Sequence, residues 1–529
     1  MSTLTALCLF LLLVNKAIKK LRTKSKGGPD HIPPVLLFKC ALWLSPTIAY
    51  LFQLCFDSGF MPLIWSKAYI TPVFKKGDPT DASNYRPIAL TCVLCKLMES
   101  IVKDQLLSYL LFHKLISKHQ HAFIIKHSTA TNLLECANDW SAAINAKKHI
   151  DVVYIDFCRA FDSIVYSKLL SKIQSFGIVG NFLLWLGAFL NNRSQRVCVD
   201  NCLSYECDVL SGVPQGSVLG PILFLLFIND IDSACSCNST LKLFADDLKI
   251  YSIFDPINST NSLQVSINNV CAWAGMWQFT INVRKCSALH LHNKIPSDKR
   301  PYFIDGALLP DDNSVTDLGV LIDDKLSFKG HINVIVSKAM QRIGLLFRGF
   351  LCRDITFLKK AFVTYIRPLV EYCSVVWSPR LKKYIDVLER VQRKFSKRIP
   401  CLSSLTYKER LARLNLLPLE LRRLHFDLIF YYKIFNNRSA LEIDQFFTFH
   451  TPLASSRHPT PFIQKPLSAT NCLLSSFRYR SVEAWNSLPL PVQYSTSLLS
   501  FKKALHNTDL SSFLYGSTFT ALSDFKTIF

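Results

Sequence analysis

Apolar positions along the 529-residue chain follow two spacings, one near 3.6 and one of 2. The first predicts helices over 35–60, broken near Pro46 and ended at Gly59; over 92–112, where Leu94, Leu97, Met98, Ile101 and Leu106 recur; and over 131–146. It returns over 265–279, with Trp273 and Trp277 one turn apart as core residues, and dominates from 331 to 436. The nearly all-apolar run 221–228 predicts a buried helix. The second spacing, rich in β-branched residues, predicts strands over 68–74, 151–157, 193–199, 205–210 and 287–291, and a small hairpin from 315–323 and 326–328. Between the two kinds of segment lie breaker clusters such as Gly27-Gly28-Pro29 and the loop 211–217. The stretch 241–251 fits a buried hairpin with Asp246-Asp247 at its turn.

A mixed stretch of helices and strands followed by a helical one gives an α/β (α+β) class with a separate helical part. Composition narrows the choice of partner. Lys and Arg number 61 against 38 Asp and Glu, a net charge of +23 spread along the chain. That excess points first to a polyanion such as nucleic acid. The 18 cysteines are scattered with neither a disulfide framework nor zinc-like spacing, so Cys92, Cys95, Cys235 and Cys237 are expected to be plain thiols. The apolar run 6–14 is far shorter than a membrane span, and no basic segment precedes it as in a secretion signal, so stable membrane association and secretion are not expected.

Chemistry concentrates on carboxylates. Two adjacent acids at a strand end repel each other and resist desolvation unless a cation joins them, and hard divalent ions take such oxygen ligands. Asp246-Asp247 alone is equally compatible with a solvated turn. Asp156, closing the strand 151–157 before a helix that begins near Ser167, is placed where catalytic acids sit in α/β sheets. Asp162 could be no more than the cap of that helix. Lys75, Lys76 and Arg86 lie on two segments joined by a short turn, a hairpin suited to clamping phosphates. Seven of the seventeen residues 382–398 are Lys or Arg, which suits contact with a nucleic-acid backbone.

Together these blocks closely resemble the reverse transcriptase of non-LTR retrotransposons, the long-interspersed-element type, especially the jockey and chicken-repeat-1 clades. The ordered matches are Gly28-Pro29-Asp30-x-Ile32-Pro33; Ile70-x-Pro72-x-Phe74-Lys75-Lys76-Gly77-Asp78; Asn84-Tyr85-Arg86-Pro87-Ile88; Tyr154-x-Asp156-Phe157-x-x-Ala160-Phe161-Asp162; Gly212-Val213-Pro214-Gln215-Gly216-Ser217; Phe244-Ala245-Asp246-Asp247; and Leu318-Gly319-Val320-x-Ile322-Asp323.

The resemblance implies a right-hand polymerase with fingers over 27–150, a palm over 151–330 and a basic helical thumb over 331–436, flanked by an N-terminal remnant helix over 1–26 and a C-terminal region of unassigned role over 437–529. It implies an RNA-directed DNA polymerase, a nucleotidyltransferase that extends a DNA primer on an RNA template with dNTPs and two Mg²⁺ ions, or Mn²⁺ in their place. Asp156 and Asp246 would bridge the metals, with Asp247 in support and the Phe157 carbonyl completing one shell. Lys285 would be the general acid. Lys75, Lys76 and Arg86 would hold the triphosphate, Phe161 would exclude a ribose 2′-hydroxyl, Gln215 would brace nucleotide and template, and Leu318, Gly319 and Val320 would form the primer grip. Intracellular action, at the nucleus, follows from that activity.

The chain departs from the family pattern at Cys158-Arg159, where Ser-Lys is usual, at His31, where Gly is common, and over 124–127. It shows neither an endonuclease segment nor a zinc knuckle, so a copy truncated at its N-terminus is expected. Two functions are then open: an active polymerase, or a catalytically inactive remnant that only binds nucleic acid.

Overall fold

In the computed structural model, residues 11–23, 27–255, 261–292, 300–450, 462–467 and 470–516 are described. The expected helix over 1–26 falls partly outside them; within them Leu11–Lys19 is helical.

Two sheets carry the architecture. The first is built on β1 (Lys67–Phe74) and β2 (Tyr85–Thr91). They pair antiparallel, with Phe74 opposite Tyr85 and Val73 opposite Arg86. The central sheet is built on β3 (His149–Ile155). β4 (Arg193–Val199) joins the first sheet parallel to β1, and β5 (Cys202–Leu203) and β6 (Cys207–Val209) extend it. These last two replace the single strand expected over 205–210. β7 (Thr240–Phe244), β8 (Asp247–Phe254) and β9 (Ser287–Leu291) complete the central sheet, in the order β7-β8-β3-β9, antiparallel throughout. The short pairs β10 (Phe303–Ile304) with β11 (Ala307–Leu308), and β12 (Ser314–Asp317) with β13 (Val320–Asp323), follow.

The side-chain period of 2 divides the interior in two. From β3, Val153 and Ile155 enter one core with the helices Ala41–Ser58, Val93–Phe112 and Gly220–Ile228. Ile150 and Val152 enter the other, with β13, the helices that follow it and the C-terminal segment around Trp485 and Phe501. The sheet is thus covered on both faces. Its open end, where β3 stops and β7 turns into β8, is where polar groups gather.

Three local expectations need correction. The helix over 35–60 is broken at Cys40, between Pro34–Lys39 and Ala41–Ser58, and not at Pro46. Pro46 is exposed, so the Leu42 carbonyl left without its helical partner faces water. Gly59 does end the helix in the left-handed conformation, at φ 63°. Residues 326–328 form no strand: Leu326 and Phe328 have φ of 49° and 53° and lead into the helix Lys329–Gly349. Asp162 caps no helix, because the one that follows starts after Val165.

No helix among the described residues is long and apolar enough to cross a membrane. The seventeen cysteines among the described residues are free thiols. Cys92 Sγ donates to the Ile64 carbonyl at 3.1 Å, and burial pushes its pKa to about 12.

Candidate active site

Sheet register assembles the acids. β3 and β8 run antiparallel with Ile155 opposite Leu248, so one step further along Asp156 comes against Asp247. β3 and β9 pair with Tyr154 opposite Ser287, so two steps further Asp156 faces Lys285. Lys285, on the short turn Val283–Lys285 that leads into β9, places Nζ 3.1 Å from Asp156 Oδ2. Asp156 itself is fixed from the backbone, its carbonyl accepting from Asn282 N at 2.7 Å.

The β7–β8 turn differs from expectation. Phe244 pairs with Asp247, so the turn consists of Ala245 and Asp246, and Asp247 is the first residue of β8. Ala245 has φ 58°. A side chain in that left-handed region costs roughly 1–2 kcal/mol, which surrounding contacts must offset.

Charge around the turn is unbalanced. Burial raises the Asp246 pKa and the Asp156 charge adds to it, while Lys75 and Arg86 oppose the shift. Asp247 is raised to about 6 by burial and by the carboxyls of Asp246, Asp317 and Asp156, against a lowering by Lys249. Its side chain still touches solvent, so neighbouring protein displaces much of its water without enclosing it. The charges of Lys75 and Arg86 on the β1–β2 hairpin are thus felt at Asp246, although both side chains are exposed. The hairpin is closed by Lys75 N donating to the Asn84 carbonyl at 2.9 Å. Lys76 is exposed beside them.

Among the described residues, no three His, Cys, Asp or Glu side chains are gathered tightly enough to make a closed metal cage. The donors nonetheless suit a hard divalent ion: they are oxygens, and their mutual repulsion is what such an ion relieves.

A second group of residues flanks this point. Phe161, half-buried, stacks on Phe224 at a centroid distance of 4.3 Å and an interplanar angle of 13°. Gln215 donates from Nε2 to Asp162 Oδ1 at 2.9 Å. The loop that carries it is stitched on both sides, Val213 N to the Phe161 carbonyl at 2.8 Å and Ala89 N to the Gln215 carbonyl at 2.6 Å. Gly216, at φ 120°, has no room for a side chain: a Cβ would lie 2.5 Å from the Ala89 carbonyl oxygen. The loop thus joins β2 of one sheet to the segment after β3 of the other.

Leu318 and Gly319 form the tight turn between β12 and β13, at φ 44° and 85°. Tyr372 Oη donates to the Leu318 carbonyl at 2.9 Å. Asp317 pairs with Lys249 of β8 in a buried ion pair, tying this hairpin to the strand that begins with Asp247.

Some residues at the site give no sequence signal. Buried Glu99 accepts from Val218 N at 2.6 Å and Leu219 N at 3.0 Å, holding the end of the Gln215 loop. Gln120 bonds the turn after β7 from a stretch that lacks periodicity, and Asn132 bonds the Leu243 carbonyl from the start of the helix Thr129–Asn145.

Residues 73–322 match the family described as "Reverse transcriptase (RNA-dependent DNA polymerase)". That stretch is similar to reverse transcriptase domains, and the relatives it matches are polymerases of mobile elements. Among relatives, the chain is 30% identical over 335 residues to the RNA-directed DNA polymerase from mobile element jockey of Drosophila melanogaster, covering 61% of this chain and 36% of that protein. It is 26% identical to the probable RNA-directed DNA polymerases from transposon BS and transposon X-element of the same organism. Those matches cover 71% and 64% of this chain and 43% and 38% of the relatives. The chain thus spans about two fifths of the length of these relatives.

Proposed function

We propose that the chain is the RNA-directed DNA polymerase of a non-LTR retrotransposon, adding dNTPs to a DNA primer on an RNA template. The observation that carries this is the convergence of Asp156, Asp246 and Asp247 at one sheet end, with the charges of Lys75 and Arg86 on the other sheet reaching Asp246. Residues 27–150, 151–330 and 331–436 act as fingers, palm and thumb.

The reaction is attack of the primer 3′-hydroxyl on the dNTP α-phosphate with loss of pyrophosphate. Asp156, Asp246 and the Phe157 carbonyl, with Asp247 in support, would hold two divalent ions, Mg²⁺ or in its place Mn²⁺, which would supply a lowered hydroxyl pKa and charge stabilisation of the leaving group. The chain's own residues do the rest. Lys75, Lys76 and Arg86 bind the β- and γ-phosphates as charge-assisted donors. Lys285, beside Asp156, delivers a proton to pyrophosphate. Phe161, backed by Phe224, leaves no space for a 2′-hydroxyl, and Gln215, anchored on Asp162, braces nucleotide and template. Leu318, Gly319 and Val320 hold the primer end. The basic helix Lys382–Lys397 follows the hybrid backbone. The place of action is the nucleus, where target DNA lies.

The test is primer extension on poly(rA)/oligo(dT) with Mg²⁺ or Mn²⁺, beside Asp246→Asn. Metal-dependent extension lost in the variant supports the assignment. Folded protein without metal-dependent extension refutes it and leaves a nucleic-acid-binding remnant.

A further inference from the structure

β7 is an edge strand of the central sheet, and the chain just ahead of the helix Thr129–Asn145 runs along its free side. Leu243 N donates to the His119 carbonyl at 2.9 Å and His121 N to the Leu243 carbonyl at 3.0 Å, making a single parallel bridge between Gln120 and Leu243. Asn132 Nδ2 adds a bond to the same Leu243 carbonyl at 3.0 Å. Backbone pairing on this edge goes no further. The next donor, Ala245 N, belongs to the turn that presents Asp246, and it is met by a side chain: Gln120 Oε1 accepts from it at 2.9 Å.

The same oxygen accepts from Ala122 N, also at 2.9 Å. Two N–H groups on one atom require an acceptor there, which fixes the orientation of the amide. Gln120 is only 2% exposed, and its Nε2 is buried without a hydrogen-bond partner. A buried donor left unsatisfied is unfavourable, so the side chain is poorly explained by its own contribution to stability. Beyond the local bond to Ala122 N, it reaches across to hold the left-handed Ala245, and through it the direction of the next residue.

We propose that Gln120 is a positioning residue for Asp246: its Oε1 pins the Ala245 amide and so sets where the Asp246 carboxylate meets a divalent ion. This rests on the assignment of Asp246 as a metal ligand given above.

The test compares Gln120→Met, which keeps the length and loses the acceptor, with Gln120→Glu, which keeps the acceptor. Mn²⁺ affinity is read by calorimetry on the full chain, exchange of the Ala245 amide by mass spectrometry or NMR, and fold by Tm. Gln120→Met is expected to weaken Mn²⁺ binding about tenfold, the scale of an outer-shell loss around a metal, and to expose the Ala245 amide. Its Tm should fall by a few degrees as the Ala122 and Ala245 amides lose their acceptor, the chain staying folded, and Gln120→Glu should retain most of the affinity. Unchanged Mn²⁺ affinity in Gln120→Met, or equal loss in both variants, overturns the proposal. Should Gln120→Met fail to fold, the shorter Gln120→Asn takes its place; rapid exchange of the Ala245 amide in the unaltered protein overturns the proposal without any variant. Asp246→Asn with wild-type Mn²⁺ affinity would overturn the metal-ligand assignment itself, which separates the two failures.

Discussion

Lys285 Nζ stands 3.1 Å from Asp156 Oδ2, two side chains 129 residues apart that adjacent strands bring face to face. Both are partly exposed, so the pair contributes little to stability. Its interest is chemical: it holds an ammonium where pyrophosphate would depart. Lys285→Met is expected to lower the single-turnover rate roughly 10²-fold, within the range of a general acid, with little change in dNTP affinity. Lys285→Arg should restore part of the rate. Rapid-quench kinetics decide; an unchanged rate removes Lys285 from the chemistry.

Phe161→Ala opens the space under the sugar. Incorporation of NTPs relative to dNTPs should rise at least tenfold, by analogy with other deletions of steric discrimination. Loss of the stack on Phe224 will also lower Tm. Competitive incorporation measured across both nucleotide sets checks the first expectation, and unchanged dNTP preference would show that Phe161 is no gate.

Arg86→Ala and Lys75→Ala remove charges that reach Asp246. Each should raise KM for dNTP by roughly tenfold, as for loss of a charge-assisted hydrogen bond of about 1.5 kcal/mol. Template-primer affinity, measured by fluorescence anisotropy, should hold steady. A fall in that affinity with KM unaltered would move these residues from the triphosphate to the duplex.

Stability should depend on pH through Asp247. Its pKa of about 6 lies above the unfolded value near 3.9, so the folded chain prefers the protonated form. That contribution is complete below about pH 4 and disappears as pH rises through about 6. In metal-free buffer Tm should therefore fall between about pH 4 and pH 6. Saturating Mg²⁺, which binds the ionised carboxylates, should reduce or reverse the slope, and Asp247→Asn should flatten it. Differential scanning calorimetry at several pH values checks all three.

The buried Lys249–Asp317 pair joins β8 to the β12–β13 hairpin. Asp317→Ala leaves Lys249 unpaired inside the protein, expected to cost about 3–5 kcal/mol. The double variant Lys249→Met with Asp317→Leu should recover most of that stability. If primer use stays impaired after stability returns, the pair also sets the position of Leu318 and Gly319.

The carboxylates stood out in the sequence because each lies at an end of a short apolar strand, a local pattern. The sequence placed Asp246 and Asp247 together at the turn, as polar pairs suggest. Register instead puts Asp247 into β8 and gives the turn to Ala245, a residue with no turn preference, held by Gln120 from more than a hundred positions away. Such long-range capping of single backbone donors, by Gln120 and equally by Glu99, leaves no periodic trace. Leu326 and Phe328 misled for a related reason: apolar side chains suggested a strand where the backbone is left-handed. The Lys249–Asp317 pair was hidden because each residue looks like the polar member of an alternating strand.

The junction of Ala89 with Gln215 and Gly216 fastens the first sheet to the segment after β3. Arg86 lies three residues along β2 from it, about 10 Å away. A side chain added at Gly216 would therefore push on the Ala89 carbonyl and disturb Arg86, Asp162 and Phe161 together, through a loop that none of the acids belongs to.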